Sequence, residues 1–290
     1  MFVKGNTLSD LKVYFQQKLA GSFTNREIKQ ILKEVSFKRL NVNDERYILS
    51  DDVKLSESDL LYFKSVVNRL LQNEPLQYII GETTFYGLRL KTDQRALIPR
   101  PETEELVDWI CQEYKGQKDL HIVDLCSGTG CIALALKSVF KDSRITAVEW
   151  SKDAVDLLKE NIEFTGLHVE VIHDDVTSDT LTRHFEHGSI DIIVSNPPYI
   201  PTSEMDQMES NVLDYEPQMA LFVEDTNPLL FYSWIANHTH VLLKKGGGVY
   251  FEVNEGHGYQ VENLLESKGL VNIELRKDLE GRDRMVRAIL

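Results

Sequence analysis

Asn196-Pro197-Pro198-Tyr199 is the run whose residue types could hold a reacting group. Two successive prolines rigidify the backbone and remove two N–H donors, leaving carbonyls free to accept. An NH2 group lying against them could donate one hydrogen to the Asn196 side-chain oxygen and the other to the Pro197 carbonyl. Tyr199 would pack on its planar face. An amide nitrogen is a poor nucleophile because its lone pair is delocalised, so such a site must supply orientation and polarisation by acceptors. No His, Cys or Ser/His/Asp constellation is needed, because bulk water can take the proton once a group has been transferred to the nitrogen. A lone Asn-Pro-Pro turn also serves as a rigid strand exit, so its meaning depends on its neighbours in the chain.

Those neighbours suggest a second ligand. Asp124-Leu125-Cys126-Ser127-Gly128-Thr129-Gly130 follows an apolar strand. Small residues there let backbone approach a ligand closely, and a helix starting near Cys131 offers its N–H groups to a carboxylate. Glu149 ends the next strand, 21 residues after Gly128, where a carboxylate can accept from both hydroxyls of a ribose. Loop and acid together indicate an adenosine-containing ligand. Position 133 is Ala, so the loop is not the GxGxxG that a pyrophosphate normally requires. An amino-acid-bearing nucleoside, S-adenosylmethionine, fits better than NAD, and the chemistry expected of the tetrad is methyl transfer to nitrogen. Asp174 and Asp175, after the third strand, are placed to receive an adenine amino group, with Val176 against the ring, or else they are solvated loop acids capping a helix.

The elements that must position these residues follow from periodicity. From about residue 102 short β-rich runs (HIVDLC, RITAVEW, VEVIHDD, IDIIVSN, GGVYFEV) alternate with helical stretches such as CIALALKSVF and SKDAVDLLKENIEF. That alternation predicts an α/β protein with a parallel, doubly wound sheet. VNIELRKDL and RMVRAIL, separated by Gly281, predict a reversed hairpin on its edge. In such sheets ligands bind outside the carboxyl ends of the strands, where the loop, Glu149 and the tetrad all fall. Residues 1–75 read as helical: Thr24 with Glu27, and Ser56 with Asp59, are capping-box pairs ahead of apolar residues at helical spacing, and an earlier helix runs around Leu8, Leu11, Phe15 and Leu19. Pro75 ends this region, and the alternation and glycines of IIGETTFYGLRLKTD predict a β-hairpin before Pro99 and Pro101. The expected domains are 1–75, a linking hairpin 76–98, and a catalytic domain 99–290.

Composition narrows the function classes. The net charge of −14 would repel a phosphate backbone, and no long Lys/Arg run offsets it, so duplex nucleic acid is a disfavoured substrate; the charge suits a basic protein partner or simple solubility. Three cysteines without a CxxC pair argue against a disulfide framework and a structural zinc; no metal is expected. The chain has no run of 18 apolar residues and no signal-like start, so a cytoplasmic protein without a membrane partner is expected.

With these residues in view, the chain resembles the HemK/PrmC family, the protein-(glutamine-nitrogen) methyltransferases of peptide chain release factors. The resemblance runs from residue 75 to 290 through PLQYIIGETTFYGLRL, LIPRPETEELVDW, DLCSGTGCIALAL, AVEWSKDAV, VSNPPYI and LEGRDRMV. NPPY alone is shared with adenine, guanine and other nitrogen methyltransferases; the proline-arginine-proline-glutamate run after a YIIG hairpin is far more selective. The resemblance implies a Rossmann-like class I methyltransferase domain with a mostly parallel seven-stranded sheet, joined by a β-hairpin to a small helical amino-terminal domain that helps hold the release factor. It implies that Cys126, Ser127, Gly128, Thr129, Gly130, Glu149 and Asn196 bind S-adenosylmethionine, to which the placement after the strands adds Asp124, Asp175 and Val176 as expected cofactor residues. It further implies that Asn196, Pro197, Pro198 and Tyr199 hold the glutamine of a Gly-Gly-Gln tripeptide in class 1 release factors. Pro99, Arg100, Pro101, Glu102 and Glu104 would line the cleft between domains, Arg100 and Glu102 touching substrate, unless Arg100 is an ion-pair partner of one of these glutamates. Cys126 and Glu149 depart from the family's usual glycine and aspartate. A positive φ at position 126 would make cysteine costly. The rival readings are a methyltransferase acting on an exocyclic amine of RNA or DNA, a nicotinamide oxidoreductase, and a catalytically silent docking module.

Overall fold

A computed structural model describes residues 5–42, 47 and 53–290. Residues 1–4, 43–46 and 48–52, which the helical reading of the amino-terminal region includes, lie outside the described residues. The chain divides into two compact units, one of Met1–Gly81 with Ser210–Tyr215, the other of Glu82–Glu209 with Glu216–Leu290.

In the first unit α1 (Leu8–Leu19), α2 (Asn25–Leu40) and α3 (Glu57–Leu70) each begin at a capping box. Thr24 Oγ1 accepts from Glu27 N at 3.3 Å while Glu27 Oε2 accepts from Thr24 N at 2.7 Å. Ser56 and Asp59 make the same exchange at 3.1 and 3.2 Å, and Thr7 with Asp10 adds a third box. Each box satisfies N–H groups that a helix start leaves without partners. Leu11, Phe15, Leu32, Val35, Phe63 and Val67 form the core beneath them. The unit runs on past Pro75: α4 (Leu76–Ile80) sends Ile79 into the same core. Tyr215 OH, in α8 (Ser210–Tyr215), donates to Gln72 O at 2.8 Å.

The second unit opens with β1 (Glu82–Phe85) and β2 (Leu88–Lys91), an antiparallel pair turning through Tyr86 and Gly87. Their φ angles of 46° and 77° give the primed turn that a two-residue hairpin loop requires. The hairpin belongs to this unit rather than standing apart as a linker. Phe85 and Leu90 are buried in its core, and Asn161 on α7 (Lys152–Thr165) accepts from Lys91 N at 2.7 Å and donates to Lys91 O at 3.1 Å.

The seven-stranded sheet comprises β3 (His121–Leu125), β4 (Arg144–Glu149), β5 (Glu170–His173), β6 (Ile190–Ser195), β9 (Leu243–Glu252), β10 (Val271–Lys277) and β11 (Asp283–Ile289), in the order β10-β11-β9-β6-β3-β4-β5, while β7 (Ile200–Pro201) and β8 (Phe222–Val223) form a separate short parallel pair. From β5 to β9 all neighbours are parallel; β11 is antiparallel to both β9 and β10, the reversed edge hairpin foreseen at Gly281. One face is covered by α5 (Pro101–Glu113) and α6 (Cys131–Val139), with Leu106, Ile110, Ala133 and Leu136 fully buried. The other is covered by α9 (Leu230–Leu242) and α10 (Gly258–Ser267), with Ile235, Ala236, Val261 and Leu265 fully buried. With both faces covered, β3 is buried at every position, as a parallel strand requires. The strand order reverses between β3 and β6, which puts a ligand crevice at their carboxyl ends.

Candidate active site

A cleft opens at that reversal, lined entirely by residues of the second unit. The loop after β3 forms its floor. Ser127 N donates to Val148 O at 3.1 Å, Ser127 Oγ donates to Asp124 O at 2.8 Å, and Gly130 N closes the turn on Ser127 O at 2.8 Å. Gly130 has a φ of +80°, and a Cβ there would run into the Leu158 side chain, so only glycine fits. Cys126 adopts a φ of +62°, the left-handed conformation in which a glycine would be unstrained. The cysteine is accommodated in the expected fold of the turn, at the cost of backbone strain. Burial, with the nearby Glu149 charge, pushes its thiol well above the ordinary value.

Glu149 leaves β4 with both carboxylate oxygens on backbone. Oε2 accepts from Gly128 N at 2.8 Å and Oε1 from Ser151 N at 2.8 Å. Burial raises its pKa, and those two bonds pull it back down. Each oxygen keeps a lone pair for a ribose hydroxyl. Asp175 Oδ1 is occupied by Thr177 N and Oγ1, both at 2.8 Å, which leaves Oδ2 for an amino group. Asp174 faces the cleft too, but its carboxylate is taken by Thr180 Oγ1 at 2.8 Å and His184 Nε2 at 2.9 Å.

Cys126, Ser127, Gly128, Thr129, Glu149, Asp175, Val176, Asn196, Pro198, Pro99 and Arg100 thus line one cleft; Asp124, Gly130, Pro197, Tyr199, Pro101, Glu102 and Glu104 do not. Asp124 is wholly buried under the loop, its Oδ2 accepting from Ala133 N at 3.2 Å and its Oδ1 without a partner among the described residues. It shapes the loop from below instead of facing a ligand. Desolvation pushes its pKa up to about 8. Arg100 pairs with neither Glu102 nor Glu104. Its Nη2 lies 2.5 Å from Glu216 Oε1, and Glu216 Oε2 also accepts from Ile98 N at 3.0 Å, while Glu104 accepts from Tyr86 N at 2.9 Å. A partner 116 residues away could not be seen in the local spacing.

Behind the tetrad lies a group that sequence reasoning passed over. Glu252, at the end of β9, is fully buried; Oε2 accepts from Thr103 Oγ1 at 2.6 Å and Oε1 from the Tyr199 hydroxyl at 3.1 Å. Asn196 Nδ2 in turn donates to Thr103 Oγ1 at 3.2 Å. Burial raises the Glu252 pKa, while these hydroxyls and the Arg284 charge lower it. Tyr199, half-buried, packs its ring against the apolar cluster around Tyr232 and Phe251. The signal was a lone acid closing the apolar strand VYFEV.

The residues fit an amino-acid-bearing nucleoside: a carboxylate hydrogen-bonded to a glycine loop with lone pairs left for hydroxyls, apolar Val148, Ala154 and Val176 beside it, and a helix start below. Fold and site together define a Rossmann-like methyltransferase that uses S-adenosylmethionine. Residues 103–214 match the family model described as Methyltransferase small domain, and residues 27–81 match the PrmC N-terminal domain. Over 286 residues the chain is 37% identical to the release factor glutamine methyltransferase of Flavobacterium psychrophilum, covering 97% of this chain and 98% of that one. It is 35% identical to the enzyme of that name from Bacteroides thetaiotaomicron, covering 97% and 99%. The chain belongs to the release factor glutamine methyltransferase family. The solved structure of a methyltransferase from Pyrococcus furiosus shares the fold, with a TM-score of 0.52 at 15% identity over 77% of this chain and 96% of that one.

Proposed function

We propose that the chain transfers a methyl group from S-adenosylmethionine to the side-chain amide nitrogen of the glutamine in the Gly-Gly-Gln motif of class 1 peptide chain release factors. The observation that carries this reading is Asn196, which lines the same cleft as the glycine loop and Glu149 while its Nδ2 is committed to Thr103. Its carboxamide oxygen is the atom left to accept, and an NH2 group is what an acceptor of that kind takes.

Bound in the cleft, S-adenosylmethionine supplies an electrophilic methyl on its sulfonium. Glu149 would accept from the ribose hydroxyls, and the N–H groups at the start of α6 would serve the cofactor's carboxylate. Val176 would pack on adenine and Asp175 Oδ2 would take its amino group. Asn196 Oδ1 and the Pro197 carbonyl each accept one hydrogen of the substrate NH2, which orients the nitrogen and concentrates charge on it. Pro198 walls the pocket, and Tyr199, its ring against the apolar cluster around Tyr232 and Phe251 and its hydroxyl on Glu252, braces the segment that carries Asn196. The helical first unit holds the release factor away from the reacting glutamine. The reaction takes place in the cytoplasm, where release factors work. Among the described residues no helix is long and apolar enough to cross a membrane.

An exocyclic amine of RNA or DNA would suit the same acceptors. Outside residues 1–81, however, Asp and Glu outnumber Lys and Arg by 36 to 20, which disfavours a polyanion at this site. Labelled methyl transfer to a purified release factor, run beside a variant lacking the Gly-Gly-Gln glutamine and beside RNA and DNA, separates the two. Label on the intact factor alone is expected; label on nucleic acid would reassign the substrate and leave the fold and donor unchanged.

A further inference from the structure

The orientation of the Asn196 carboxamide follows from counting hydrogens behind it. The Thr103 hydroxyl has one hydrogen, and it goes to the Glu252 oxygen at 2.6 Å; the Tyr199 hydroxyl donating to the other oxygen and the nearby Arg284 charge favour the ionised carboxylate, which can only accept. Toward Asn196, at 3.2 Å, the Thr103 oxygen can then only accept, so the atom facing it must be the nitrogen. The other carboxylate oxygen receives the Tyr199 hydroxyl. Thr103 and Glu252 are both nearly inaccessible, so water does not replace these bonds.

We propose that Glu252 is a positioning residue: through Thr103 it fixes the polarity of the Asn196 carboxamide, and through the Tyr199 hydroxyl it fixes the ring beside it, so that the site accepts an NH2 donor and rejects a carboxylate. Glu252 touches no reacting atom and acts on Asn196 through Thr103. The consequence is specificity for glutamine over glutamate, since an acid in the same pose sets oxygen against oxygen. With Thr103 unable to accept, the Asn196 amide is free to turn over and offer a donor where an acceptor is needed. The inference rests on the proposed function and deepens it.

The test uses the full-length enzyme with Thr103→Val, which removes the hydroxyl at nearly constant shape, Thr103→Ser, which keeps it, and Glu252→Gln. Two readouts are taken, kinetics on the release factor and the Asn196 side-chain NH2 resonances by 15N NMR. Thr103→Val and Glu252→Gln are expected to lose on the order of 10–100-fold in kcat. KM and the S-adenosylmethionine dissociation constant should stay within a few fold. Thr103→Ser restores most of the loss. The slowly exchanging Asn196 NH2 signal should be lost in Thr103→Val and kept in Thr103→Ser. Wild-type kcat in Thr103→Val, or an unchanged Asn196 signal, overturns the inference, as does Thr103→Ser behaving like Thr103→Val. A wild-type enzyme that labels no release factor refutes the functional reading instead, and the NMR comparison still decides whether Thr103 sets the amide.

Discussion

Removing Arg100 should cost more than removing its partner, because the two members of the ion pair are buried unequally. The Glu216 side chain is 1% exposed and that of Arg100 is 32% exposed. In Arg100→Ala the Glu216 carboxylate stays buried with one remaining donor, Ile98 N at 3.0 Å. Stranding one charge of a buried pair costs about 3–5 kcal/mol, and the solvent reaching Arg100 argues for the lower end. At roughly 2–4 °C per kcal/mol for a unit of this size, the melting temperature should fall by about 6–12 °C. In Glu216→Ala the guanidinium can hydrate through its exposed third, and the main loss is the Ile98 bond, about 1–2 kcal/mol. The double variant removes the stranded charge and should resemble Glu216→Ala. Denaturant unfolding of the three variants gives all the values, with the coupling read from the cycle. If Arg100→Ala and Glu216→Ala are equally destabilising, or if the double variant is worse than Arg100→Ala, the pair does not work as argued.

Three further outcomes are expected. Cys126→Gly relieves a left-handed residue worth about 1–2 kcal/mol and should match or exceed wild-type stability, whereas Cys126→Val, β-branched at positive φ, should melt well below both by calorimetry. Asp124 titrates at its ordinary 3.8 when unfolded and near 8 when buried, so between these values the folded chain holds a proton that the unfolded chain has released. Its contribution is full below about pH 4 and declines toward pH 8, by at most about 1.4 kcal/mol per pH unit, so Asp124→Asn should gain on wild type in melting temperature as pH rises; parallel pH profiles would contradict this. Glu149→Ala should weaken S-adenosylmethionine binding about tenfold or more by calorimetric titration, and a wild-type dissociation constant would remove Glu149 from the donor site.

What could be read from the sequence was whatever local periodicity and turn chemistry determine. The capping boxes at Thr24 and Ser56, the alternation of strand and helix, and the edge hairpin at Gly281 are set by neighbours within a few residues, and the structure has them where the spacing put them. The loop at 126–130, Glu149 and Asn196 could be brought to one crevice because a parallel doubly wound sheet gathers its strand ends. The hidden features depend on distant pairings. Arg100 sits two and four residues from Glu102 and Glu104 in a helix-start segment, yet its partner arrives from position 216. Glu252 meets Thr103 across 149 residues, and Asp124 turns under its loop because Ala133 N lies there. The unit boundary moved from 75 to 81 because Ile79 completes an apolar core, which a proline at 75 does not reveal.

The central claim is that this site methylates a glutamine side-chain nitrogen. Incubating the enzyme and S-adenosylmethionine with a class 1 release factor, then fragmenting the Gly-Gly-Gln peptide by mass spectrometry, tests it most directly. The account predicts a single methyl on the glutamine side-chain amide, lost when the enzyme carries Asn196→Ala. A methyl on any other residue, or an unmodified peptide under conditions in which the enzyme consumes S-adenosylmethionine on another acceptor, would contradict it.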